Sequence, residues 1–289
     1  MNTKESDKNN IPALSKRLKT VADMVPCKSR IADVGTDHGF VPIYLAKSLR
    51  IEHAIAMDIR KGPLERAKQH VIEYGLTDLI ETRLSDGLEK LCEDEADTMI
   101  CAGMGGPLMQ KILSNKDVRA LKLKTLILEP QSEIMQFRSF LRENGFEITQ
   151  EEFLLEDGKY YPVIKAIVNY DRYKEESPKQ CPNKDGTGDA AKSTSYLPKS
   201  YEKAIEKLKD ISEVQKAKLT DETLLRLCDR FGPCIIMSPN EDFQTFLVHG
   251  KAVCDTILNK ISDVKNSHTK RFEQVSMELS DIKTALWLF

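Results

Sequence analysis

A chain of 289 residues with 40% hydrophobic content is long enough for two domains and a substantial core. Its net charge of −2, with no long segment basic overall, excludes a polycation that grips nucleic acid over its whole surface, so such a site must be a local patch. Seven cysteines without C-x-x-C spacing argue against a disulfide framework or a zinc site, and no apolar run approaches the length of a membrane span. The first eleven residues are polar and lack the apolar core of a signal peptide, so the expectation is a disordered start, a cytoplasmic protein and no metal.

Leu14, Leu18, Val21 and Val25 recur at spacings of 4, 3 and 4 residues and predict one face of an amphipathic helix ending near Pro26. Lys16, Arg17 and Lys19 lie on its other face and are candidate phosphate contacts, with solvated surface as the alternative. A first strand, Arg30 to Val34, runs into Gly35-Thr36-Asp37-His38-Gly39, and a helix resumes near Val41, where Pro42 is tolerated because the first turn needs no N–H. In an open α/β sheet, ligands bind at the carboxyl ends of strands, and Gly35 and Gly39 allow close backbone approach there. The glycine spacing is G-x-x-x-G and not the G-x-G-x-x-G of a dinucleotide fingerprint. With Asp33 inside the strand end, the pattern suits a ligand that lacks a pyrophosphate and carries a charged amino-acid tail, such as S-adenosyl-L-methionine.

A second strand, Ala54 to Met57, ends in Asp58, which lies 23 residues after Gly35 and is followed by Ile59. An acid at that separation hydrogen-bonds ribose hydroxyls in α/β nucleotide folds, and a plain helix cap is the alternative. Gly62-Pro63 delays the next helix to Leu64, which then runs to Tyr74 and stops at Gly75. A short strand, Ile80 to Leu84, leads to Asp86-Gly87, where Asp86 either accepts from an adenine amino group or caps a helix beginning at Leu88. The fourth strand, Asp97 to Cys101, opens into Ala102-Gly103-Met104-Gly105-Gly106. Three glycines in four residues bare the backbone where a flat base can slide against it. Cys101 reads as a small core residue, since no activating base sits beside it.

Thr125 to Leu128 form a fifth strand ending in Glu129-Pro130-Gln131, and Glu129 or Gln131 is placed to line a base pocket. A helix then runs to Asn144. Phe146 to Phe153 and Tyr160 to Val168 flank an Asp-Gly turn and predict a hairpin. The βαβ alternation with a closing hairpin predicts an α/β fold, a Rossmann-like parallel sheet with helices on both faces and an antiparallel strand near its edge. Residues 171–198 read as a disordered linker or insertion. Beyond it, Ala204, Leu208 and Ile211 mark a helix. A break at Phe231-Gly232-Pro233 and a final stripe from Val253 to Ala285 predict an antiparallel coiled-coil hairpin whose second helix is roughly 45 residues, or roughly 70 Å.

Taken together, D-V-G-T-D-H-G-F-V-P at Asp33 to Pro42, D-G-L at Asp86 to Leu88 and A-G-M-G-G at Ala102 to Gly106 resemble the bacterial tRNA (adenine-22-N1)-methyltransferase family. Leu14 to Leu18, Glu156 to Lys159 and Phe231 to Pro233 fit the same resemblance, whereas Gly39 departs from the alanine often found there. The resemblance implies a class I methyltransferase domain over residues 12–170, a helical coiled-coil domain over 199–289, S-adenosyl-L-methionine as cofactor and tRNA as partner. It implies cofactor contacts at Asp33, Gly35, Thr36, Asp37, Gly39, Asp58, Ile59, Asp86, Gly87, Ala102, Gly103 and Met104. Arg17, Gly105, Gly106 and Gln131 would face the substrate, and Asp37 and His38 would be catalytic. Asp37 would favour the positive charge that develops on the attacked ring, or else cap the helix after it. The coiled coil would grip the tRNA body or serve self-association. Competing readings are methyl transfer to another RNA, a protein or a small molecule, and an inert RNA-binding scaffold.

Overall fold

The computed structural model describes residues 11–170, 197–262 and 269–289. Helix α1 (Lys16–Asp23) is capped by Ser15, whose side chain accepts from Leu18 N–H. There follow β1 (Ser29–Val34), α2 (Phe40–Lys47), β2 (Ile51–Asp58), α3 (Lys61–Glu73), β3 (Ile80–Leu84), β4 (Thr98–Met104), α4 (Gly106–Asn115), β5 (Thr125–Pro130), α5 (Ile134–Glu143), β6 (Phe146–Glu156) and β7 (Lys159–Val168). They build a seven-stranded sheet in the order β3-β2-β1-β4-β5-β7-β6. The first five strands run parallel, and β7 enters antiparallel to β5. The strand order reverses between β1 and β4, the place where open α/β sheets bind ligands.

Strand residues alternate between two cores. Ile31, Ala54, Ala56, Ile100 and Ile127 face α1, α2 and α3. Ala32, Ile55, Met57, Met99 and Leu126 face α4, α5 and the C-terminal helices. Strand β5 is buried along its whole length, as a central strand covered on both faces should be.

Several boundaries differ from the sequence reading, each for a local reason. Helix α3 starts at Lys61 and Gly62-Pro63 does not delay it, because a proline in the first turn gives up no hydrogen bond. Strand β4 extends through Gly103 to Met104, with a register break between Ala102 and Met104. Past β3 the chain makes a turn and not a helix; Ser85 Oγ holds that turn by donating to Gly87 O and accepting from Lys90 N–H. Asp86 therefore caps no helix.

The C-terminal segment comprises α6 (Lys199–Val214), α7 (Asp221–Phe231), α8 (Pro233–Met237), α9 (Glu241–Ser262), α10 (Thr269–Ala285) and a 3₁₀ turn, Leu286–Leu288. The expected long rod is replaced by α9 and α10 packed against each other, close enough that a Cβ on Gly250 would meet Ile282 Cδ1 at 3.2 Å. The Gly-Pro break instead separates α7 from α8. The disorder expected over 1–11 and 171–198 falls almost wholly outside the described residues.

These helices dock on the sheet edge. Arg138 of α5 and Glu151 of β6 form a fully buried ion pair at 2.8 Å, and Arg138 Nη1 also donates to Arg230 O at 2.9 Å. Gly232 is required here: its φ is +97°, and a Cβ would fall 2.5 Å from Glu151 Oε2, which accepts from Cys234 N–H. Along β6 the C-terminal helices take up edge groups. Asn240 Nδ2 donates to Phe153 O at 2.8 Å, and Leu155 N–H donates to Asp242 Oδ2 at 3.1 Å.

Candidate functional site

The carboxyl ends of β1 to β5 surround a cavity of about 740 Å³. That size and position suit a small-molecule ligand with room for a second group. From β1 and the turn after it come Asp33, Gly35, Thr36, Asp37 and His38. The end of β2 contributes Asp58, with Ile59 just past it, and the turn after β3 contributes Asp86 and Gly87. Strand β4 contributes Ala102, Gly103 and Met104, while Arg17 of α1 and Gln131 after β5 close the remaining side. Residues far apart in sequence thus meet as the topology requires.

Gly39, Gly105 and Gly106 are not on the cavity wall, and packing accounts for each. Gly39 takes φ +70° ahead of α2 beside Ala67. A Cβ on Gly105 would lie 2.8 Å from Ser132 Oγ, and one on Gly106 would lie 2.6 Å from Ser132 O. Gly105 and Gly106 let α4 approach the segment after β5, so a substrate-facing role for them is not supported. The gap between the two glycine turns is partly filled: a Cβ on Gly35 would fall 1.9 Å from Met104 Cε. The obstruction is the end of a flexible thioether and not backbone.

Asp33 is buried, and burial, with the charge of Asp58 adding to it, pushes its carboxyl up to about 6. The Thr36 hydroxyl eases that charge, yet makes no hydrogen bond of ordinary geometry with any described group. Asp58 is also buried; its Oδ1 accepts from Arg60 N–H at 2.6 Å. Two buried acids and an orphaned hydroxyl form an electron-rich lining that a cationic, hydroxyl-bearing ligand would satisfy. Cys101 is fully buried and its thiol is pushed up by burial, so it serves as core and not as nucleophile.

At the mouth, Asp37 Oδ1 accepts from Arg66 Nη2 at 3.0 Å and lies 3.6 Å from His38 Nε2. His38 has φ +64°, a costly conformation for a residue with a side chain. Its ring joins a three-ring cluster: centroids lie 5.5 Å from both Phe40 and His70, which are 4.9 Å from each other, and His70 Nδ1–H donates to His38 O at 2.9 Å. The sequence reading missed Phe40, His70 and the cavity-lining Leu108 and Lys111. The signal for His70 was available: it lies one helical turn from Arg66, so one face of α3 meets the Asp37-His38 turn.

Among the described residues, no cluster of three His, Cys, Asp or Glu side chains is set to hold a metal ion, and no helix is long and apolar enough to cross a membrane.

Comparison with known proteins agrees with this geometry. The methyltransferase domain family matches residues 14–164. The tRNA (adenine(22)-N(1))-methyltransferase of Bacillus subtilis (strain 168) is 39% identical over 153 residues, 53% of this chain and 64% of that protein. The sequence match thus spans less than two thirds of that relative. A putative tRNA methyltransferase of Mycoplasma pneumoniae is 31% identical over 52% of this chain and 70% of its own length. The crystal structure of the B. subtilis M1A22 tRNA methyltransferase TrmK superposes with a TM-score of 0.70 at 26% identity, covering 95% of this chain and 99% of that one. With the matched region spanning the whole parallel sheet and the cavity at its switch point, the chain belongs to the methyltransferase domain family.

Proposed function

We propose that the chain transfers a methyl group from S-adenosyl-L-methionine to N1 of adenine 22 in tRNA. The observation that carries this reading is the convergence of Asp33, Asp58 and Asp86 with the Gly35 and Gly103 turns around one cavity, in a chain whose relatives are tRNA methyltransferases. The cofactor, when bound, supplies an electrophilic methyl group on a sulfonium. Asp58 would accept from ribose hydroxyls, and Asp86 from the adenine amino group of the cofactor. Asp33 and Thr36 supply acceptors for its cationic tail. Adenine N1 carries an in-plane lone pair and needs no strong base, so the protein must unstack the base, align it and exclude water. Asp37 then favours the charge developing on the ring, with His38 fixing the turn that presents it. Arg17 and Gln131 face the incoming base. The reaction belongs in the cytoplasm, where tRNA is matured. The α9–α10 hairpin would contact the tRNA body, and Val248, Val253, Phe272 and Met277 leave it an exposed apolar surface suited to self-association.

The test is to incubate the purified chain with labelled S-adenosyl-L-methionine and unmodified tRNA transcripts, one of them carrying guanine at position 22. Label should appear as N1-methyladenosine at position 22 and be absent from the variant transcript. Label confined to protein or small molecules, or equal labelling of both transcripts, would reject the reading.

A further inference from the structure

One buried group beside the cavity is only half used. Glu129, at the end of β5, is fully buried. Its Oε2 accepts from Arg17 Nη1 at 2.6 Å and from Gly103 N–H at 2.8 Å. The Gly103 amide is free to do so because the β4 register breaks at that residue. The other oxygen, Oε1, is buried and has no hydrogen-bond partner among the described residues. A carboxylate kept only to neutralise Arg17 would be hard to explain. Arg17 already has Glu156 close by, its N–H donating to Glu156 Oε1 at 2.9 Å and its Nε lying 3.8 Å from Oε2. Burying an ion with one oxygen unsatisfied is costly. Glu129 itself lies just behind the cavity wall, and the residues in front of it line the cavity: Arg17, Ala102 across the strand pair, Gly103 and Gln131, so Oε1 meets a base only when the Arg17 or Gln131 side chain moves aside.

Building on the adenine-N1 reading, we propose that Glu129 is the residue that recognises the target base, its free Oε1 accepting a hydrogen bond from the adenine N6 amino group. The chemistry of the base edge requires such an acceptor. Adenine presents N6–H₂ as a donor directly beside N1, so an acceptor at N6 leaves N1 turned to the methyl donor. Guanine presents a carbonyl at the same place, which a carboxylate repels. The contact also strengthens during reaction. The N1 lone pair forms the new N1–CH₃ bond, the S–CH₃ bond breaks with its electron pair remaining on sulfur, and the sulfonium becomes a neutral thioether. The positive charge passes to the ring and reaches N6, whose protons stay in place. Glu129 takes no proton and binds the N6 donor more tightly in the transition state than in the ground state.

The experiment compares kcat/KM for two ligated tRNAs, one with adenosine and one with purine riboside, which lacks N6, at position 22. The wild-type chain should prefer adenosine by about tenfold to hundredfold, the worth of a hydrogen bond to a charged group. In Glu129→Gln the amide oxygen is held by Arg17 and Gly103, so an NH₂ donor replaces the acceptor at Oε1. The preference should fall to about threefold or less, while cofactor affinity and melting temperature stay near wild type. Gln131→Ala should slow both substrates alike and keep the preference. If Glu129→Gln proves unstable, Glu129→Asp serves as the second variant, with a shortened reach and a reduced preference. An undiminished preference in the Glu129 variants, or a wild type that methylates both tRNAs equally well, would overturn the inference alone. A wild type that methylates neither would overturn the acceptor reading and this inference with it.

Discussion

Asp33 offers a sharp separation of stability from binding. Its side chain is 7% exposed, and burial followed by the charge of Asp58 pushes its carboxyl up to about 6. An aspartate in the unfolded chain ionises near ~3.9. Between those two values the folded chain retains a proton that the unfolded chain has released. Stability therefore falls as pH rises through that window and levels off above about pH 6. At about 1.36 kcal/mol per pH unit, the total is about 3 kcal/mol. Asp33→Asn preserves the shape and cannot ionise. Near pH ~4 both chains carry a neutral side chain and should be about equally stable. Above pH ~7 the variant should be more stable by about 3 kcal/mol, less whatever Thr36 gives back. Urea unfolding of both chains across this range measures the difference directly, and subtracting one curve from the other cancels the titrating groups that do not interact with Asp33. The same variant should bind S-adenosyl-L-methionine at least ~10-fold more weakly, because an anion facing a cationic ligand has been removed. A stability difference that does not grow with pH would refute the argument from burial.

Other substitutions test other parts of the design. Glu151→Ala leaves Arg138 buried and unpaired, and should cost about 3–5 kcal/mol of stability in a denaturant melt. Asp58→Ala should weaken cofactor binding by about tenfold or more in a calorimetric titration with little change in melting temperature; an unchanged affinity removes it from the ribose site. Gly35→Ala must hold φ +80° with a side chain, at a cost of about 1–2 kcal/mol, and must displace Met104; adding Met104→Ala should recover part of the lost stability but none of the backbone strain. Asp37→Ala should keep cofactor affinity and slow single-turnover methyl transfer at least ~10-fold, and an equal rate would exclude it from the chemistry.

The parts of the fold legible in the sequence are those fixed by local physics. Buried apolar runs ending in glycine or acid located β1, β2, β4 and β5, the Asp-Gly turn located the closing hairpin, and the turn after β1 and the end of β4 do face one cavity. Asp58 and Asp86 could be found because the first ends a strand and the second lies just past one, and strand ends are where such a sheet exposes side chains to ligand. The rest depended on contacts distant in sequence. Glu129 and Arg17 are 112 residues apart, and neither signals the other. Gly105 and Gly106 looked like ligand-facing backbone, yet the crowding they relieve comes from Ser132. The C-terminal stripe gave the helical period but not the fold-back of α9 on α10, since a 3/4 pattern buries equally well against a partner helix or against its own chain. The helix expected after Asp86 failed because Ser85 closes a turn there.

The docking of the C-terminal helices along β6 has a further consequence. β6 is one of the two edge strands, and its Phe153 carbonyl and Leu155 amide are taken by Asn240 and Asp242, while Cys234 Sγ lies 3.7 Å from Ile148 O. Truncating the protein ahead of residue 199 would strip that cover. It would leave a long ribbon with Phe153, which packs edge-on against Phe243 and Phe246, bared and its ladder groups ready to recruit a second chain. Fragments built to isolate the sheet should therefore aggregate, and the helices that follow it act as the fold's own guard against amyloid-like pairing.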